Sequence, residues 1–269
     1  MSVITISRGS FSGGKTLAQC LSKSLNYRCV DRDVIVERAA ARGVSQEELQ
    51  DAMQKPPTFL ERLQHKKYLY LVLIQAALAD EVRTGKAVYH GNAGHLLLRG
   101  GPHILRVRII APLELRLKMA QDRLKYSRAE ALEYITRMDQ DRRKWTHYLY
   151  GVDWGDPSLY DIVLNLEYVS IQEACKTVST LARQKCFEFS PCCQAAMDDL
   201  VLASRVRAEL ALDPATSHLE FEVDAKSGTV RLHGAVGNTR DVDEIRRIAG
   251  RVEGVTALDL DELASPVRA

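Results

Sequence analysis

Gly9, Ser12, Gly13, Gly14, Lys15 and Thr16 lie in one eight-residue run of the form G-x-x-x-x-G-K-[ST]. Residues of these types at this spacing bind phosphate. The glycines open backbone conformations closed to other residues, so successive N–H groups can turn inward around an anion. A helix that starts here adds its positive end to the same spot. Lys15 then reaches the β- and γ-phosphates of a nucleotide, and the Thr16 hydroxyl is placed to ligate Mg²⁺. ATP or GTP is the expected ligand.

Such a loop needs a strand before it and a helix after it. Val3-Ile4-Thr5-Ile6-Ser7 supplies the strand, and Leu17, Ala18, Leu21 and Leu25 mark one face of the helix. Further short apolar strands are expected at 27–30, 87–90, 103–111 and 162–165. Helices are expected over 34–42, 45–54, 58–84, 113–148 with a break at Tyr126-Ser127, and 171–186. Ser45-x-x-Glu48 reads as a capping box and Pro56-Pro57 as a stop. This alternation predicts an α/β fold of three layers, a parallel sheet covered on both faces. Asp31 and Asp33 follow a strand end, where ligands of open α/β sheets collect. Asp31 is assigned to substrate and Asp33 to the N-cap of the next helix.

Residues 1–190 carry a net charge of +7 and residues 191–269 a net of −5. The positive part suits a polyanionic ligand such as a nucleotide. No Lys/Arg run is dense enough to argue for nucleic acid. The first apolar run is broken by Arg8, so no signal peptide is expected, and the run from Tyr68 to Ala79 is too short to span a bilayer. A cytoplasmic protein with six reduced thiols is the expectation. Cys186, Cys192 and Cys193 leave a redox or metal role open.

Phe189-Ser190-Pro191 marks a change of rhythm, read as a linker over 189–196. A helix (198–210), a strand (219–223), a Lys226-Ser227-Gly228 turn, a strand (229–232), a helix (239–251) and a last strand (255–260) follow. Residues 197–264 therefore form a small α+β domain, expected to fold apart from residues 1–188.

Residues 1–188 resemble the cytidylate-kinase-like family of P-loop kinases. The matching residues are Ile4 to Arg8, Gly13-Gly14, Val30-Asp31-Arg32-Asp33, the strand-end Gly91, Asp139-x-x-Arg142, Tyr150-Gly151-Val152-Asp153-Trp154, Asp156 to Asp161, and Asn165. The resemblance implies a five-stranded parallel sheet, a nucleotide donor on the loop, an acceptor pocket and an arginine-bearing lid. Arg142, with Arg137 on the same charged helix, would stabilise the transferring group; the alternative is a solvated face paired with Asp139 and Asp141. Relatives usually carry Arg after the strand-end Gly, where this chain has Asn92, assigned here to the acceptor. Gly228 to Val236 and Val252-Glu253-Gly254-Val255 are similar to the BON domain, which implies a phospholipid, small-molecule or protein ligand and no catalysis.

These residues point to an ATP-dependent, Mg²⁺-requiring kinase of a nucleoside monophosphate or similar small acceptor, with the BON-like domain regulating or docking it. Two alternatives stay open: a nucleotide-responsive sensor without turnover, and a small-metabolite kinase of the same fold.

Overall fold

A five-stranded parallel sheet carries the N-terminal part of the chain in the computed structural model, which describes residues 2–54, 66–101, 103–188 and 190–264. In chain order the elements are β1 (Val3–Arg8), α1 (Gly14–Leu25), β2 (Arg28–Val30), α2 (Arg32–Ala40), α3 (Gln46–Gln54) and α4 (Lys66–Val82). Then come β3 (Ala87–Tyr89), α5 (Gly94–Leu97), β4 (Ile104–Ile110), α6 (Leu113–Leu124), α7 (Arg128–Tyr150), β5 (Ile162–Asn165) and α8 (Ile171–Ala182). The strand order is β2-β3-β1-β4-β5, so β1 lies between β3 and β4 and delivers the phosphate-binding run to the middle of the sheet's carboxyl edge.

Side chains alternate across β1. Ile4 and Ile6 pack with Leu17, Leu21 and Val178 of α1 and α8, while Val3 joins the core of α2 and α4 on the other face. The expected break at Tyr126-Ser127 is real. Lys125 is left-handed at φ 58°, and Ser127 with Glu130 caps α7 in a full capping box. Pro56-Pro57 and the expected helical start at 58–65 lie outside the described residues.

Three expectations are corrected. Cys20 of α1 and Cys175 of α8 are joined in a disulfide, so the six cysteines are not all free thiols. The described part of 189–196 is mostly helix, because α9 (Pro191–Leu212) starts at Pro191 with Ser190 at its N-cap position. Proline at the first helical position is a helix start as well as a break, and the linker reading took the wrong one. The strand expected at 219–223 lies three residues on, as β6 (Glu222–Lys226), antiparallel to β7 (Thr229–Ala235). Positive φ at Ser227 and Gly228 makes a two-residue hairpin that pairs Lys226 with Thr229 and fixes this register.

α10 (Thr239–Ala249), β8 (Ala257–Asp259) and β9 (Leu263–Ala264) complete the second module, with β8 and β9 parallel to β7. α9 belongs to both parts. Met197, Val201, Ala208 and Ala211 are buried in the core with α2 and α4, while Leu202, Val206 and Leu210 pack with Phe221, Leu232 and Ile245. Arg83–Asp198 and Arg205–Asp80, each at 2.6 Å, join α9 to α4 and the residue after it. The Tyr68 hydroxyl accepts from the Phe221 N–H and donates to the Phe221 carbonyl, both at 3.0 Å. Among the described residues no helix is long and apolar enough to cross a membrane.

Candidate active site

The run between β1 and α1 folds as a closed loop. Ser12 Oγ donates to the Gly9 carbonyl at 2.7 Å, and the Ser12 N–H also points there. Gly13 takes φ +84°, with an Ile171 methyl 3.0 Å from where a Cβ would sit, so both conformation and space require glycine. At Gly14 a Cβ would fall 1.9 Å from the Arg8 side chain. No side chain caps α1, which leaves its first-turn N–H groups without a side-chain acceptor. Lys15 and Thr16 are exposed there, and among the described residues neither side chain has a hydrogen-bond or ion-pair partner. An anion fits this cradle, and the free Thr16 hydroxyl is available to its metal ion.

Arginines surround the loop. Arg8 donates only to the His90 carbonyl and has no carboxylate partner among the described residues. Burial, and then the neighbouring Arg142, pull its pKa down to about 10. Arg142 Nη1 donates to the Arg8 carbonyl at 2.7 Å and stands over the Trp154 ring. Burial lowers its pKa too; Asp139 opposes this, and Arg116 and Arg108 add to the lowering. Asp139 accepts from the Ser10 N–H at 3.2 Å and from Arg116 at 2.5 Å, while Arg116 Nε donates to the Ser10 carbonyl at 2.7 Å. α6 and α7 thus grip both backbone polar groups of one residue, Ser10, at the loop tip. One carboxylate serves several guanidinium groups, and positive charge is left over.

The other predicted residues separate. Asp31 Oδ1 accepts from the Val34 N–H at 3.1 Å, so Asp31 is the N-cap of α2, and the cap assigned to Asp33 is corrected. Asp33 is exposed and pairs with Arg32. Burial and Arg8 lower the pKa of the nearby His90, and the charge of Asp31 opposes this. The Asn92 amide donates to the Met53 carbonyl at 2.9 Å, tying the strand-end turn to α3. Arg137 is exposed on α7 over the Tyr134 ring and is not part of the arginine cluster.

A buried polar network beneath the loop escaped sequence reasoning. Ser7 Oγ meets the Tyr160 hydroxyl at 3.1 Å, and that hydroxyl donates to the Trp154 carbonyl at 2.8 Å. Arg108 donates to the same carbonyl and lies 4.2 Å from the Trp154 ring centroid. His95 lies against the Tyr160 ring, both its ring nitrogens are buried without a partner among the described residues, and burial holds its pKa down at about 4. One signal was available. Arg106 and Arg108 alternate in an otherwise apolar strand, which gives a central parallel strand one polar face. Arg8 and Arg116 gave no such pattern.

The sequence model of the cytidylate kinase-like family matches residues 3–168, and that of the BON domain matches residues 198–261. A cytidylate kinase of Ignicoccus hospitalis is 28% identical over 185 residues, covering 67% of this chain and 99% of the relative. A cytidylate kinase of Methanothrix thermoacetophila is 31% identical over 166 residues, covering 61% and 87%. Among solved structures, an uncharacterized protein from Eubacterium ventriosum superposes with a TM-score of 0.55 at 16% identity, over 69% of this chain and all of that one. The last of these is a likeness of fold.

Proposed function

Because the chain belongs to the cytidylate kinase-like family, we propose that it moves the γ-phosphoryl group of ATP, with Mg²⁺, to a nucleoside monophosphate of the CMP type or a similar small acceptor. The observation that carries this reading is the surplus positive charge around the loop. Arg116 and Arg142 share one Asp139, Arg8 lies beside Arg142 with no carboxylate of its own among the described residues, and the first turn of α1 has no side-chain cap. Like charges this close raise the energy of the empty site, and a polyphosphate relieves it.

Mg²⁺-ATP, when bound, would supply the phosphoryl group, and its metal would offset the charge of the phosphates. The chain supplies position and charge. The amides of Gly13 and Gly14 hold phosphate oxygens, Lys15 neutralises the β/γ region, and Thr16 offers its hydroxyl to the metal. Arg142 sits where it can follow charge that builds up on the transferring group, and Arg116 with Asp139 keeps the loop in shape. Asp31 keeps one oxygen for an acceptor. A kinase of this kind works where its donor is made, in the cytoplasm, with the BON-like module regulating or docking it.

Asn92 favours a second reading. Its amide is spent on Met53 and it brings no charge to an acceptor phosphate, as a nucleotide sensor without turnover would allow. An ATP-consumption screen over nucleoside monophosphates and small hydroxylated metabolites separates the two. Turnover on CMP or a close analogue supports the kinase; ATP binding with no turnover on any acceptor supports the sensor.

A further inference from the structure

A cleft of about 840 Å³ opens between the two modules, and no residue of the phosphate-binding loop lines it. One wall is the last turn of α7, at Tyr148, Leu149 and Tyr150, with Leu71 and Val72 of α4 beside it. The other is the chain leading into β6, at Glu220, Phe221 and Glu222. Arg99 and Arg207 reach it from the segment after α5 and from α9.

The arginines at this boundary fall into two groups. Arg42, Arg83, Arg205 and Arg247 each hold a carboxylate. Among the described residues the two in the cleft do not. Arg207 donates to the Tyr68 hydroxyl and the Gln75 carbonyl oxygen, both neutral, and stands over the Tyr68 ring at 5.0 Å. The Arg99 side chain is exposed and has no partner among the described residues. The carboxylates lining the cleft lie on the strand side, and Asp224 is paired with His233 at 3.3 Å.

We infer that this cleft is a ligand site for a small aromatic anion, its flat body between the half-buried Tyr68 and Tyr150 and its charged group on Arg99 and Arg207. Rings supply apolar area and faces for stacking, and a guanidinium without a carboxylate is the part of the lining that an anion improves. The site is tied to the phosphate-binding loop by one helix. Tyr150 packs against Trp145, and Arg142 lies about two turns up α7 from Tyr150. A ligand that bears on that last turn bears on the helix that holds Arg142 and Asp139, so occupancy couples to donor binding if the two states of α7 contact it differently.

The test uses the full chain and two probes, the aromatic sulfonate 8-anilinonaphthalene-1-sulfonate and the uncharged N-phenyl-1-naphthylamine. The sulfonate should bind one per chain, take up tryptophan fluorescence from Trp145, and stay bound at saturating ATP. Arg99→Gln, which breaks no contact in the structure, should weaken it by about tenfold, and adding Arg207→Gln by about tenfold more, the loss of one charge-assisted contact each. Affinity for the uncharged probe should not change in either variant. Equal sulfonate affinity in wild type and Arg99→Gln would overturn the site, as would displacement by ATP that grows without limit as ATP rises, the mark of one shared site, or an equal loss for the uncharged probe. None of these readings needs phosphoryl transfer, so the site can stand or fall apart from the proposed kinase activity.

Discussion

Lys15 is the residue whose role depends least on its surroundings. It projects from an uncapped helix start with no protein partner among the described residues, so removing it changes ligand binding and leaves packing alone. Lys15→Ala should weaken ATP binding by about 10²-fold, the loss of a charge-assisted contact to phosphate, with an unchanged melting temperature. Calorimetric titration of both proteins checks this, and equal affinities would remove the phosphate-loop assignment. His95 gives a pH prediction. Its pKa in the fold is about 4 against about 6.5 unfolded, so the unfolded chain takes up the proton first. Stability from this group is full above about pH 6.5 and falls as pH drops toward 4, by roughly 3 kcal/mol. His95→Leu should flatten that part of a denaturation-versus-pH profile; an unchanged slope would contradict the assignment. The loop residues were legible because the motif names them by type and spacing. Arg8 and Arg116 were not, since a single arginine at a strand end or on a charged helix looks like solvated surface until the fold gives each a backbone carbonyl, His90 for Arg8 and Ser10 for Arg116. The cap falls to Asp31 and not to Asp33 because both are good caps two residues apart, and only backbone geometry selects between them.

At the scale of elements, α1 is held from two sides. Its N-terminus carries the loop, and Cys20 ties its middle to Cys175 of α8. The β5–α8 connection also touches the loop, through Ile171 and Leu166 against Gly13. Protein purified without reductant and denatured should show four free thiols of its six cysteines; six would contradict the disulfide. Strands such as β3 and β5 were legible to within a residue, because short apolar runs bounded by charged or turn residues have few other uses. α9 was legible only in its second part. Its first turn holds Pro191 and two cysteines, a composition that reads as punctuation, and its shared burial depends on partners far away in sequence.

The whole molecule is organised around α9. The sequence alone predicts halves that fold separately, split by composition and charge. The structure buries Met197, Val201, Ala208 and Ala211 in the core with α2 and α4, so the acidic module contributes side chains to the core on the face of the sheet opposite α1. A chain ending at Cys186 loses these side chains and opens a large apolar face on α4. Such a chain should melt well below the full protein or aggregate, by calorimetry and light scattering. A soluble fragment with the full chain's melting temperature and ATP affinity would restore the two-part view. α9 also gives the module a mechanical route to α4 and, across the cleft, to the end of α7.

The central claim is phosphoryl transfer at the arginine-ringed loop, and transfer of label from γ-labelled ATP tests it most directly. With Mg²⁺ and CMP, or the best acceptor of the screen, wild type should place label in the diphosphate product. Arg142→Ala should lower the rate by about 10²-fold at nearly unchanged ATP affinity, with Arg142→Lys recovering part of the loss. ATP bound tightly by wild type with no label in any acceptor would contradict the account and leave a nucleotide sensor in its place.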